Sequence, residues 1–257
     1  MRVRQLARAT DDGYRNGLVP GLKASADAER LADEIAFAAT RLAQLATDPP
    51  GTYADAALET DREEGLWLAF LTAVVCPGEG EDPFAGVRAA HVPWSSGELP
   101  DLSAVPRGLR SSGDARTLTA YRAWAGRSGS QEAALAGEAA WTPQRRFDRV
   151  FERLSLPGFG RTARFELLTT LGAAGRYPLE AGSPHFVEDD PATLAAKRLF
   201  VSGDRMLLER RAKEFAQAAD LPIAALDHGL AVWSTPGEHV DLTEDPSPGV
   251  ASALRIG

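Results

Sequence analysis

The sequence contains very little cysteine and no long apolar run. Cys76 is the only cysteine among 257 residues, which excludes an intramolecular disulfide, a four-cysteine zinc site and a cysteine-ligated iron–sulfur cluster. The first 21 residues carry charges throughout and lack the apolar segment of a signal peptide. The longest apolar stretch, residues 66–77, is too short to cross a bilayer. These features predict a cytoplasmic protein with no membrane partner.

Positive charge is also scarce, but it is unevenly distributed. The chain has 28 lysines and arginines against 36 acidic residues, which argues against a protein that coats nucleic acid without specificity. Residues 141–176 nevertheless hold seven arginines and three acidic residues, and residues 197–213 hold six basic and two acidic residues. Two interpretations stay open: these stretches are solvated helix faces, or they form a basic surface that contacts phosphates.

No stretch alternates apolar and polar residues as a half-buried strand does, so the sequence predicts an all-α fold. Helical spacing of apolar residues predicts helices over 25–46, 63–75, 83–90, 115–125, 131–139, 143–154, 162–171, 191–200, 205–219 and 222–233. Thr60 and Glu63 have the spacing of a capping box. Residues 77–114 are rich in Gly, Pro and Ser and predict long loops, and the tail after Pro236 is expected to be irregular.

A turn between two of these helices has the composition of a helix-hairpin-helix motif. It reads Leu156-Pro157-Gly158-Phe159-Gly160-Arg161. Its glycines can adopt backbone angles closed to other residues, and an apolar side chain between them can anchor the turn. The following helix N-terminus offers N–H groups to a phosphate. The motif predicts DNA contacts by Gly158, Phe159, Gly160, Arg161, Thr162 and Arg164; the alternative is an ordinary corner between helices.

Residues 147–200 resemble the helix-hairpin-helix DNA glycosylase superfamily. They are most similar to the actinobacterial branch grouped with predicted α-glutamyl/putrescinyl-thymine pyrophosphorylases. The resemblance implies one all-α, two-lobed glycosylase-like unit over residues 1–257, with a cleft between the lobes. The hairpin lobe would span about 63–171, and the other lobe would combine 1–62 and 172–257.

The same resemblance implies a catalytic aspartate. In the superfamily this residue follows an apolar residue and begins a helix that contains an arginine–leucine pair. Val187-Glu188-Asp189-Asp190-Pro191, followed by Arg198-Leu199, is similar to that arrangement. Its spacing from Gly160 is several residues longer than usual, which leaves open whether Asp190 or Asp189 would serve. Both are also good helix N-cap residues, so the alternative to a catalytic role is that they only cap the helix.

The position that holds a Schiff-base lysine in bifunctional relatives is Thr162 here. The resemblance therefore implies a monofunctional DNA glycosylase-like hydrolase that uses water to release a damaged or modified base. It implies no required cofactor, although the backbone carbonyls of Leu154, Leu156 and Phe159 could hold a monovalent cation. Double-stranded DNA is the expected partner of a monomer. A non-catalytic helix-hairpin-helix DNA-binding or scaffold protein is the alternative.

Histidine adds little to these hypotheses. Asp227 and His228 are adjacent, but neighbouring helical side chains point about 100° apart, so we expect a structural role for Asp227. His91, His185 and His239 lie far apart in the sequence and have no metal-ligand spacing.

Overall fold

The computed structural model describes residues 9–78, 80–108, 111–235 and 246–256. Within these ranges all regular secondary structure is helical, which confirms the all-α prediction. No helix there is long and apolar enough to cross a membrane. A 3-10 helix covers Trp94–Ser96, and the α-helices, in chain order, are α1 (Ser25–Thr47), α2 (Thr52–Leu58), α3 (Arg62–Val75), α4 (Ala85–Ala90), α5 (Ala115–Arg127), α6 (Gln131–Ala136), α7 (Pro143–Arg153), α8 (Arg161–Ala173), α9 (Pro191–Phe200), α10 (Arg205–Ala218), α11 (Ile223–Ser234) and α12 (Pro248–Leu254).

The start of α3 differs by one residue from the predicted capping box. Asp61, not Thr60, is the N-cap residue, and its Oδ1 accepts hydrogen bonds from the backbone N–H groups of Glu63 at 2.9 Å and Glu64 at 3.4 Å. A carboxylate next to the helix dipole is at least as good a cap as a threonine hydroxyl. The prediction of Thr60 as the cap was therefore wrong.

Two short helices lie where the sequence predicted none. α2 follows the Pro-Gly segment that ends α1, and α12 lies in the tail expected to be irregular. Pro248 occupies the first turn of α12, where a missing N–H costs nothing, and the Ser247 hydroxyl caps it by accepting the Val250 N–H at 3.3 Å. Residues 236–245, including His239, lie outside the described residues.

The chain forms two compact units, residues 1–42 with 183–257 and residues 43–182. In the first unit α9 packs against α11, and α10 packs against both. Its core is built on large side chains that are almost fully buried, among them Ile35, Phe186, Phe200, Phe215 and Trp233. The lobe boundaries and the cleft expected from the sequence stay a prediction.

In the second unit α3 is the central helix, as its nearly continuous apolar sequence predicted. Trp67 and Phe70 are fully buried, and the ring of Phe70 stacks on that of Tyr121 with 3.6 Å between centroids. The long segment before α5 covers α3, since the Trp67 indole N–H donates to the Val92 carbonyl at 2.8 Å. Residues 77–114, which the sequence predicted to form long loops, therefore include a part that packs on the core of this unit.

Candidate functional site

The predicted hairpin lies in the second unit, between α7 and α8. Leu154 caps the end of α7, and Gly160 is the N-cap residue of α8. Two hydrogen bonds close the turn internally: Leu156 N–H donates to the Leu154 carbonyl at 2.7 Å, and Phe159 N–H donates to the Leu156 carbonyl at 3.1 Å. The predicted helices on both sides of the turn are confirmed, and the identity of the turn as a helix-hairpin-helix motif stays a prediction.

The two glycines of the turn have different roles. Gly158 has φ +72°, whereas Gly160 has φ −64° and ψ 172°, an extended conformation that any residue adopts. A Cβ at Gly158 would lie 2.7 Å from Thr117 Oγ1, and one at Gly160 would meet only Ser112 Oγ, at 3.8 Å. The expectation that both glycines use angles closed to other residues is wrong for Gly160.

Phe159 anchors the turn to the core of the second unit. Its side chain is 2% exposed, and its ring lies 5.1 Å from that of Phe70 in α3, measured between centroids. The ring is therefore covered by protein, so a DNA contact by this residue would use its backbone. The neighbouring residues Pro157, Gly158 and Gly160 are exposed.

The arginines that follow the turn pack against aromatic rings. Arg161 is only 3% exposed, and its guanidinium lies 4.9 Å from the centroid of Phe165. Arg164 is half-buried; its Nη1 donates to the Phe151 carbonyl at 3.1 Å, and its guanidinium stacks on the Phe151 ring at 4.3 Å. Burial, reinforced by the charge of Arg161, lowers the pKa of Arg164. Arg164 thus connects α8 with α7, whereas the contact of Arg161 with Phe165 lies within α8.

Exposed positive charge near the turn instead comes from α5 and from α7. The Arg116 side chain is 81% exposed and pairs with Asp114 at 3.1 Å. Arg145, Arg149 and Arg153 of α7 are exposed. A charge run shows the sign of the residues but not their burial, and DNA contacts by Arg161 and Arg164 stay a prediction.

Two hydroxyl groups that the sequence did not single out hold the tip of the turn. We call Ser112 and Thr117 the clasp. The Ser112 hydroxyl donates to the Gly158 carbonyl at 2.5 Å and accepts the Gly160 N–H at 3.1 Å. The Thr117 hydroxyl donates to the Pro157 carbonyl at 2.6 Å. The Gly160 N–H, expected to receive a phosphate, is therefore bonded to Ser112.

The carbonyls expected to hold a monovalent cation stay a prediction. The Leu154 and Leu156 carbonyls each accept one hydrogen bond within the turn, and a carbonyl oxygen has a second lone pair for a cation. Uncharged oxygen donors fit a hard monovalent cation and not a soft transition metal. Within the described residues no group of three His, Cys, Asp or Glu side chains could hold a metal ion.

The candidate catalytic aspartates lie in the first unit. Asp190 is 8% exposed and is the N-cap residue of α9, where its Oδ1 accepts the Ala192 N–H at 3.1 Å. Pro191 begins the helix, and Asp189 is exposed with φ +61°. The capping role thus applies to Asp190, the better-fixed of the two carboxylates. A catalytic role for either aspartate stays a prediction.

The segment before α9 contains backbone strain that the sequence did not reveal. His185 has φ +52° and Asp189 has φ +61°, and between them Phe186 is fully buried. Each positive φ at a non-glycine residue costs about 1 kcal/mol. Four other non-glycine residues, Cys76, Val201, Asp220 and Arg255, also have positive φ, so strain alone does not assign His185 to the candidate site.

Thr162 is a half-buried residue of α8 in the second unit, and three other residues singled out from the sequence lie inside the first unit. Asp227 and His228 are 5% and 8% exposed in α11. Arg198, part of the Arg-Leu pair after Asp190, pairs with Asp27 at 3.3 Å and stacks on Trp233 at 4.5 Å. These contacts fix α9 against α1 and α11 within this unit.

Comparison with known proteins agrees with one part of the resemblance. A family model described as alpha-glutamyl/putrescinyl thymine pyrophosphorylase clade 3 matches residues 106–236, just over half of the chain. No curated protein and no solved structure matches the chain. The wider link to helix-hairpin-helix glycosylases stays a prediction. The matched range includes the clasp, the hairpin and the segment that carries Asp190, and the chain therefore belongs to clade 3 of the alpha-glutamyl/putrescinyl thymine pyrophosphorylase family.

Proposed function

We propose that this protein is an enzyme that acts on a substituted thymine base in DNA. The observation that carries the proposal is the family match over residues 106–236. The family description couples pyrophosphate chemistry with thymine that bears an α-glutamyl or a putrescinyl group. DNA is the polymer that presents thymine to an enzyme, and a helix-hairpin-helix turn suits the backbone of such a polymer.

The second unit would supply the DNA contact. Its turn has the exposed residues Pro157, Gly158 and Gly160, next to the N-terminus of α8, whose dipole favours a phosphate. Arg153 adds exposed positive charge at the end of α7, and Arg116 is exposed but paired with Asp114. A local basic surface of this kind can bind duplex DNA although the whole chain is acidic.

For the chemistry we propose cleavage of the N-glycosidic bond by water. The Asp190 carboxylate would take a proton from the attacking water and stabilise the positive charge that develops on the sugar. The new bond joins the water oxygen to the sugar carbon, and the base leaves with the electrons of the broken C–N bond. Thr162 has no amine, so this mechanism includes no covalent sugar–enzyme intermediate.

A second candidate reaction is favoured by the family description. It is an exchange at the thymine substituent, in which an amine displaces pyrophosphate. In this direction a C–N bond forms, the bond to the pyrophosphate oxygen breaks, and the amine loses a proton to a base such as Asp190. With added pyrophosphate the reverse reaction forms the bond to the pyrophosphate oxygen, breaks the C–N bond and returns a proton to the departing amine. The glycosidic bond stays intact in this reaction, and that difference separates the two candidates. A non-catalytic DNA-binding protein is the third possibility.

The test uses duplexes that carry α-glutamylthymine, putrescinylthymine or ordinary thymine, each incubated with the protein with and without pyrophosphate. We expect release of the free substituted base. A change in the mass of the base without release would favour pyrophosphate exchange, whereas binding without any product would favour the non-catalytic alternative.

Asp190→Asn is the decisive variant, because asparagine caps a helix as well as aspartate does but cannot accept the proton. We expect it to lose about 100-fold or more of the activity and to melt at the same temperature as the unaltered protein. Asp204→Asn is the matched control, since Asp204 caps α10 by accepting the Leu207 N–H at 2.7 Å. Equal activity in the two variants would rule out Asp190 as the catalytic group.

A further inference from the structure

The tip of the hairpin turn depends on a distant segment for its conformation. Among the contacts that the structure describes, two hydrogen bonds lie within the turn itself, from Leu156 to Leu154 and from Phe159 to Leu156. Three backbone groups at its tip, the Pro157 and Gly158 carbonyls and the Gly160 N–H, are bonded to the clasp hydroxyls, which lie 40 to 48 residues earlier in the chain. The Ser112 hydroxyl bridges a carbonyl and an N–H two residues apart, so it closes a ring across the turn.

The segment that carries the clasp is itself fixed to the core. The Arg107 guanidinium donates to the carbonyls of Val74 at 3.1 Å, Ser112 at 2.8 Å and Gly113 at 3.1 Å. The Ser112 N–H donates to the Val74 carbonyl at 2.9 Å. Val74 belongs to α3, the central helix, so the position of Ser112 is set by a buried part of the unit.

The clasp and the turn also fit closely together. A Cβ at Gly158 would lie 2.7 Å from Thr117 Oγ1 and 3.2 Å from the Gly113 Cα. Thr117 is fully buried, and its Oγ1 also accepts the Asp114 N–H at 3.1 Å in the capping box of α5. The hydroxyl that holds the Pro157 carbonyl is thus fixed by the start of its own helix.

We propose that Ser112 and Thr117 are positioning residues, which hold the hairpin in the conformation that receives a DNA backbone phosphate. The inference rests on the proposed function, because it assumes that the hairpin binds DNA. Ser112 could instead compete with a phosphate for the Gly160 N–H. The two roles predict opposite effects: loss of a positioning hydroxyl weakens DNA binding, and loss of a competing hydroxyl strengthens it.

The test measures the affinity for a fluorescent DNA duplex at several salt concentrations. We expect Ser112→Ala and Thr117→Val each to raise the Kd about fivefold, which is the effect of losing one hydrogen bond. The slope of log Kd against log salt should not change, because no phosphate contact is removed. Thr117→Ser retains the hydroxyl and should restore the original affinity.

Thr119→Val is the matched control. Thr119 is exposed on α5, and its hydroxyl bonds only to the Ala115 carbonyl of the same helix, at 2.9 Å, among the contacts that the structure describes. This variant should bind DNA as the unaltered protein does. Tighter binding by Ser112→Ala would overturn the positioning role, as would unchanged binding by both clasp variants.

Amide hydrogen exchange in the free protein tests the clasp independently of DNA. Ser112→Ala should speed exchange of the Gly160 amide about fivefold or more, and Thr119→Val should leave it unchanged. Unchanged exchange in Ser112→Ala would overturn the proposal. If the unaltered protein shows no salt-dependent DNA binding, the proposed function fails, and with it the binding role of the clasp. Exchange at Gly160 then still decides whether Ser112 holds the turn.

Discussion

Alanine substitution of the two hairpin glycines should have very different effects. Gly158 has φ +72°, and its added Cβ would lie 2.7 Å from Thr117 Oγ1. An L-residue in this conformation costs about 1–2 kcal/mol. Displacement of Thr117 would also remove its hydrogen bond to Pro157, worth about 1 kcal/mol. We therefore expect Gly158→Ala to destabilise the protein by about 2–3 kcal/mol.

Gly160→Ala is the internal comparison. Its φ of −64° suits alanine, and the added Cβ would meet Ser112 Oγ at an ordinary 3.8 Å. The small penalty of alanine at an N-cap is offset by the reduced entropy of the unfolded chain, so the net change should stay within about 0.5 kcal/mol.

Thermal unfolding followed by circular dichroism separates the two variants. A loss of about 2–3 kcal/mol lowers the Tm of a protein of this size by about 4–12 °C, whereas Gly160→Ala should shift it by about 2 °C or less. Equal shifts in the two variants would refute the assignment of different roles to these glycines.

Further predictions concern pH, packing and charge. Burial alone would raise the pKa of Glu64, but hydrogen bonds from Ser95 and Trp94 outweigh it and lower the pKa below 4.5. Stability from this carboxylate is therefore present above pH 4.5 and lost below it, so melting curves of Glu64→Gln and the unaltered protein should converge in acid. Burial, followed by the charge of Glu132, raises the pKa of Tyr177 to about 12. Its phenolate absorbance should therefore appear at a higher pH than that of a free tyrosine. The stability that this side chain contributes should fall as pH rises from 10 towards 12. Phe159→Ala should cost about 3–5 kcal/mol in urea unfolding, since the ring is buried against Phe70; a loss below 1 kcal/mol would contradict its anchoring role. Arg153→Gln should weaken DNA binding and reduce the slope of log Kd against log salt by about one phosphate contact. An unchanged slope would show that Arg153 does not contact a phosphate.

Local patterns in the sequence predicted most of the helices. α9 begins and ends as predicted, because Pro191 marks its first turn and its apolar residues repeat at helical spacing. α2 and α12 were missed because each follows or contains a Pro-Gly pair, which is typical of a turn but also suits the start of a helix.

The candidate site was less predictable, because it depends on contacts between distant residues. Gly158 and the turn follow from the motif itself. The clasp joins residues at least 40 positions apart and lies in or next to a segment without periodicity. The burial of Arg161 could not be predicted, because a sequence gives the charge of a side chain and not its burial. The Asp114-x-x-Thr117 spacing is the one local signal that could have drawn attention to Thr117.

The central claim is the release of a substituted thymine base from DNA. Mass spectrometry of a duplex that carries one putrescinylthymine, before and after incubation with excess protein, tests it most directly. We expect loss of the substituted base with the unaltered protein, no change with Asp190→Asn, and no change in a duplex with ordinary thymine. An intact duplex after incubation with the unaltered protein, or equal reaction of both duplexes, would contradict it.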